Sequence, residues 1–223
     1  MNIFIIFILF NSLLVTLYYY KKKFNNIDGL IKYLFRSILK FIDYNVEAIN
    51  LDDYPSKLII IGSHTSIYDF FIGTIIYYAY LHEKYDTYTL MKKEFEEMTT
   101  PFLTYFDSRF KLISVDTKEK GLTDQICNSL KDKDNFILFI APEGTRKYTE
   151  SLRSGYWVIS KTLNINVAYM GIDFSDRIVI LEKNRNVKDL WEDEKEEFIK
   201  SCRKYIPLYP ERCYWTKDFY NND

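Results

Sequence analysis

His64 and Asp69 stand five residues apart in Ser63-His64-Thr65-Ser66-Ile67-Tyr68-Asp69, between the apolar runs Leu58–Gly62 and Phe70–Ile76. An imidazole with a carboxylate on one nitrogen has its tautomer and orientation fixed, and its other nitrogen can take a proton from a substrate hydroxyl. On one continuous helix a spacing of five would separate the two side chains by about 140°, so they could not meet. They can meet if His64 lies in the loop after a strand and Asp69 in the first turn of the next helix. Ser66-x-x-Asp69 is a capping box and predicts a helix start at that place. No Gly-x-Ser-x-Gly turn suggests a serine nucleophile, so the hydroxyl to be activated would be the substrate's own. The plainer alternative is that Asp69 only caps a helix and His64 is an ordinary loop histidine.

A second candidate follows another apolar run. Asn135–Ile140 leads into Ala141-Pro142-Glu143-Gly144-Thr145-Arg146. Pro then Gly after a strand makes a tight turn. The turn offers backbone N–H groups, a Thr hydroxyl and a guanidinium, whose planar fork suits a phosphate. The alternative is a simple turn with an exposed Arg. Both loops follow the carboxyl end of an apolar strand, where open α/β sheets place ligands.

The elements that must position these loops alternate. Strands are expected near 44–50, 57–62, 87–91, 111–115, 135–140, 166–173 and 177–183, rich in Ile, Val, Leu and Phe and ending at turn signals. Helices are expected near 67–82, 93–98, 119–132, 153–163 and 186–205. Such alternation predicts one α/β domain, 44–210, with a mostly parallel or mixed central sheet flanked by helices. The tail, 211–223, is expected to be irregular.

Ahead of the domain, Ile3 to Tyr20 carries no charge and ends in Tyr18-Tyr19-Tyr20 followed by Lys21-Lys22-Lys23. Tyrosines at headgroup level followed by lysines predict a membrane anchor over 1–23, transmembrane or membrane-embedded, with the lysine side cytosolic. Residues 24–43 read as a basic amphipathic helix, with apolar positions at helical spacing and Lys32, Arg36 and Lys40 elsewhere. It could lie on the membrane surface or pack on the domain. A net charge of -1 gives no support for nucleic-acid binding. Three cysteines, Cys127, Cys202 and Cys213, have no metal-ligand spacing and suggest neither a zinc site nor a disulfide framework.

Taken together, His64 and Asp69 as His-x-x-x-x-Asp and Pro142 to Arg146 as Pro-Glu-Gly-Thr-Arg resemble the two hallmark blocks of glycerolipid acyltransferases of the lysophosphatidic acid acyltransferase (1-acylglycerol-3-phosphate O-acyltransferase) type. Leu90-Met91-Lys92-Lys93-Glu94-Phe95, before Pro101, is similar to a further family block, and the similarity runs over about 44–185. The resemblance implies a glycerol-3-phosphate acyltransferase-like fold and acyl transfer from acyl-CoA to a lysophospholipid or glycerol phosphate, at a membrane, with no metal or bound cofactor. It implies His64 as general base and Asp69 as its orienter. Glu143, Gly144, Thr145, Arg146 and Lys92 would serve the substrate. The family also has an arginine after the strand between the two blocks; here Thr117 stands in that place, and Lys118 or Arg109 would have to substitute. That departure leaves room for a catalytically silent lipid- or partner-binding relative. An acyl-thioester hydrolase using the same base on water is a third reading.

Overall fold

A computed structural model describes residues 28–47, 53–92, 109–115 and 121–216, together with Ser12 and Thr16. The rest of the expected anchor, the expected helix at 93–98, and Thr117 and Lys118 lie outside the described residues. Among the described residues no helix is long and apolar enough to cross a membrane.

The elements run α1 (Asp28–Phe41), β1 (Asn45–Glu47), β2 (Lys57–Ile61), α2 (Ile67–Ile76), β3 (Asp86–Lys92), β4 (Phe110–Val115), α3 (Leu122–Leu130), β5 (Phe136–Ile140), α4 (Gly155–Leu163), β6 (Asn166–Asp173), β7 (Ile178–Leu181) and α5 (Trp191–Cys202). The strands form one sheet in the order β1-β7-β6-β2-β5-β3-β4. All neighbours are parallel except β6 and β7, which are antiparallel. The sheet is thus mixed, with a parallel centre.

β2 sits at that centre, between β5 and β6. Its Leu58, Ile59, Ile60 and Ile61 are all buried. A strand covered on both faces reads as a continuous apolar run because no position faces water. Leu58 and Ile60 join the core beneath α1 and α2, whereas Ile59 and Ile61 join the core beneath α3, α4 and α5. Each such side chain contributes roughly 1.5–3 kcal/mol by leaving water. Gly62 follows where β2 passes β6, and a Cβ there would stand 2.8 Å from the Met170 carbonyl oxygen. Only glycine lets the strand leave the sheet along that path.

The expected helix 67–82 is α-helical to Ile76 and then widens into a π-turn, Tyr77–Leu81. Tyr77 and Tyr78 are both buried there, and Tyr78 stacks on Phe35 of α1 at 4.8 Å. α1 buries Ile31, Phe35 and Leu39, one stripe at helical spacing, against the domain. Arg36 Nε donates to the Ala79 carbonyl at 3.1 Å, and Lys32 pairs with Glu83 at 2.7 Å. The basic helix therefore packs on the domain, yet it leaves Leu30, Tyr33 and Phe41 exposed.

α5 is shorter than the expected 186–205. Its first turn carries Glu194, which is fully buried. Arg185 grips that carboxylate with both Nη atoms at 2.9 Å, Tyr156 donates to it at 3.1 Å, and the Lys188 N–H donates at 2.8 Å. The stretch expected to be irregular forms two 3-10 turns, Pro210–Arg212 and Tyr214–Thr216, and puts Cys213 and Trp215 into the core.

Candidate active site

The site grows out of the ends of β2 and β5. The two strands run in parallel register from Lys57 opposite Phe136 to Ile61 opposite Ile140. They finish at the same level, and the Gly62 N–H still bonds the Ile140 carbonyl at 3.3 Å. The loops carrying His64 and Glu143 therefore leave the sheet side by side, at its carboxyl edge.

The His64 loop is held by the start of α2. Ser66 is the N-cap, and its Oγ accepts from the N–H groups of Tyr68 at 3.0 Å and Asp69 at 3.4 Å. Asp69 completes the capping box: its Oδ2 accepts from the N–H groups of Thr65 and Ser66, each at 2.7 Å. The same Oδ2 lies 3.2 Å from His64 Nδ1. Asp69 is 8% exposed and His64 31% exposed by side chain, so the carboxylate is covered while the imidazole reaches the surface. The carboxylate holds the proton on Nδ1 and leaves Nε2 as an acceptor, which is the arrangement of a general base. The residue that caps the helix is thus also the one whose carboxylate lies against His64.

The second loop closes as a turn, with the Gly144 N–H bonded to the Ala141 carbonyl at 3.0 Å. Gly144 has φ +62°, in the left-handed region that favours glycine. Thr145 Oγ1 accepts from the Lys147 N–H at 3.2 Å, so its hydroxyl first serves to shape the loop. Arg146 is half-buried beside it. Glu143 turns inward. It is 3% exposed and accepts from Ser63 Oγ at 2.7 Å, tying one loop to the other. It thus shapes the site from within, linking the two loops.

Burial pushes the Glu143 carboxyl up to about 7, against the opposing effect of the Ser63 hydrogen bond. The folded protein therefore keeps a proton there that the unfolded chain releases above the ordinary value of 4.5. Stability falls as pH rises through that window, by up to about 3 kcal/mol. Glu143→Gln keeps an oxygen for Ser63 and removes the titration. The melting temperature of Glu143→Gln relative to wild type should rise between about pH 5 and about pH 7.5; a constant difference would contradict a protonated Glu143.

Lys92 closes β3 at the same carboxyl edge of the sheet. Lys118 lies outside the described residues. Arg109 is at the other edge: it precedes β4 and pairs with Asp28 at 3.3 Å. The length of the sheet separates it from His64.

Three neighbours were not singled out from sequence. Ser63 is the partner of Glu143. Arg153 lies across the second loop: its N–H bonds the Pro142 carbonyl at 2.9 Å, and a Cβ on Gly144 would stand 2.9 Å from its Nε. Arg212 donates to the Thr65 carbonyl at 3.1 Å. An arginine seven residues beyond Arg146 in a polar loop was a weak signal for Arg153, and no local signal marked Arg212.

A search of curated proteins finds no match to this chain. A family model, Acyltransferase, matches residues 45–167, more than half of the 223 residues and a span that holds both loops. With the His64–Asp69 pair and the Pro142–Arg146 turn meeting at one edge of a mixed α/β sheet, the chain belongs to the acyltransferase family of lysophosphatidic acid and glycerolipid acyltransferases.

Proposed function

We propose that the protein is a membrane-bound O-acyltransferase of phospholipid biosynthesis or remodelling. It moves an acyl chain from acyl-CoA to the hydroxyl of a lysophospholipid or glycerol phosphate. The observation that carries this reading is the 3.2 Å contact of His64 Nδ1 with a covered Asp69, beside a turn rich in anion-binding groups. His64 Nε2 takes the proton of the acceptor hydroxyl as its oxygen attacks the thioester carbonyl carbon. The C–O bond forms, the C–S bond breaks, and the imidazolium returns its proton to the departing thiolate. Asp69 stabilises the imidazolium while it lasts. Gly144, Thr145 and Arg146 receive the acceptor's phosphate, with Lys92 at the same edge. No metal or resident cofactor enters the scheme.

The exposed Leu30, Tyr33 and Phe41 on α1 support a membrane-facing side for the domain, as does the uncharged sequence Ile3–Tyr20 followed by three lysines, which would put the domain on the cytosolic side. The test is full-length protein in vesicles given radiolabelled acyl-CoA, with and without lysophosphatidic acid. Label in the diacyl product supports transfer. Label released as free fatty acid points to a thioester hydrolase, and intact acyl-CoA points to a silent lipid-binding relative.

A further inference from the structure

The C-terminal turn brings a cation to the His64 loop from well outside the stretch matched by the acyltransferase family. Arg212 Nη1 donates to the carbonyl of Thr65, the residue after His64, at 3.1 Å. Its guanidinium lies over the Tyr209 ring, 3.9 Å from the ring centre. The following residue, Cys213, is fully buried, and its Sγ is 4.0 Å from the Ser63 hydroxyl. Trp215 is buried just beyond. The turn is therefore anchored just beyond Arg212, directly against the loop that carries His64.

The guanidinium has donors beyond the one on Thr65 and one acidic neighbour. One Nη1 donor is used by Thr65. The Glu211 carboxylate pairs with Nε at 3.8 Å, and the Arg212 side chain is 40% exposed, which leaves the Nη edge facing outward. A guanidinium held by stacking and by one backbone acceptor keeps a preorganised edge of donors for an anion. We propose that Arg212 binds a phosphate beside the loop that carries His64. This rests on the acyl-transfer reading for its meaning. The chemistry it recognises is a phosphate monoester or diester, carried either by the acceptor or by the acyl donor.

Three full-length variants in vesicles test it: Arg212→Ala, Arg212→Lys and Arg212→Gln. Gln can keep a donor on the Thr65 carbonyl while losing the charge. With lysophosphatidic acid as acceptor and palmitoyl-CoA as donor, Arg212→Ala and Arg212→Gln should both raise one KM by roughly 10–100-fold, with a much smaller change in kcat. Arg212→Lys should recover part of the loss, as a point charge without the fork. A rise in the acceptor KM assigns the phosphate to the acceptor, and a rise in the palmitoyl-CoA KM assigns it to the donor. If Gln behaves as wild type while Ala does not, Arg212 only props the loop and the proposal is overturned. Unchanged KM values in all three variants overturn it as well. If wild type transfers no acyl chain, the function reading has failed separately, and binding decides: stabilisation of wild type against heat by glycerol 3-phosphate or by CoA, lost in Arg212→Gln, supports the phosphate site. Stabilisation retained in Arg212→Gln, or absent from wild type, overturns it.

Discussion

Replacing His64 with Ala should lower kcat for acyl transfer by roughly 10²–10⁴-fold while leaving the KM of both substrates within a few-fold. The size follows from the geometry. The imidazole is half-exposed and its Nδ1 lies 3.2 Å from Asp69. On the proposed reading its loss removes proton transfer and little else, so the fold should keep its melting temperature. Asp69→Asn is less clean. Asp69 also accepts the Thr65 and Ser66 N–H groups, and losing a helix cap costs about 1 kcal/mol. A His64→Ala protein that transfers acyl chains within tenfold of wild type would show that the reaction uses another base. The comparison is best made by steady-state assay at saturating donor, with acceptor varied.

Glu194→Ala should be the most destabilising single change near the sheet. The carboxylate is fully buried and takes both arms of Arg185, the Tyr156 hydroxyl and the Lys188 N–H. Removing one partner of a covered pair leaves the other charge unpaired and typically costs 3–5 kcal/mol. Arg185 keeps about a third of its side chain in water, which places the expected loss near the lower end, about 3 kcal/mol. For a chain of this size that corresponds to a drop of about 6–12 °C in melting temperature. Thermal unfolding followed by tryptophan fluorescence reads it directly, since Trp157 and Trp191 pack near Tyr156. A shift under about 2 °C would mean that the network contributes little net stability.

What could be read from the chain and what could not divide by distance. The cap at Ser66, the helix start at Ile67 and the meeting of His64 with Asp69 are written within seven residues, and the capping code is local. β2 and β5 are legible because strands buried on both faces need uninterrupted apolar runs. The bond from Ser63 to Glu143 spans 80 positions and exists only because β2 and β5 end level, which no local pattern states. Arg212 reaches Thr65 across 147 positions. The Pro210–Thr216 stretch has no long apolar period and reads as irregular, yet its Cys213 and Trp215 fill a gap in the core. Arg109 misled for a related reason: strand order and direction, not sequence proximity, decide at which edge of a sheet a residue emerges. α1 was legible as amphipathic, and its partner became clear only once the π-turn had turned Tyr77 and Tyr78 inward.

The level ending of β2 and β5 has a consequence for selectivity. The two strands are locked along five consecutive residue pairs, and a slip by one would shift a loop by about 3.3 Å and break the ladder. On the proposed reading, the base rides on one strand and the phosphate turn on the other, so the distance between them is a ruler set by backbone pairing. An acceptor with its phosphate seated at the turn can offer the imidazole only the hydroxyl that lies the right number of bonds away. Which oxygen of the glycerol becomes acylated would then be decided by register, with no pocket needed to tell one hydroxyl from the other.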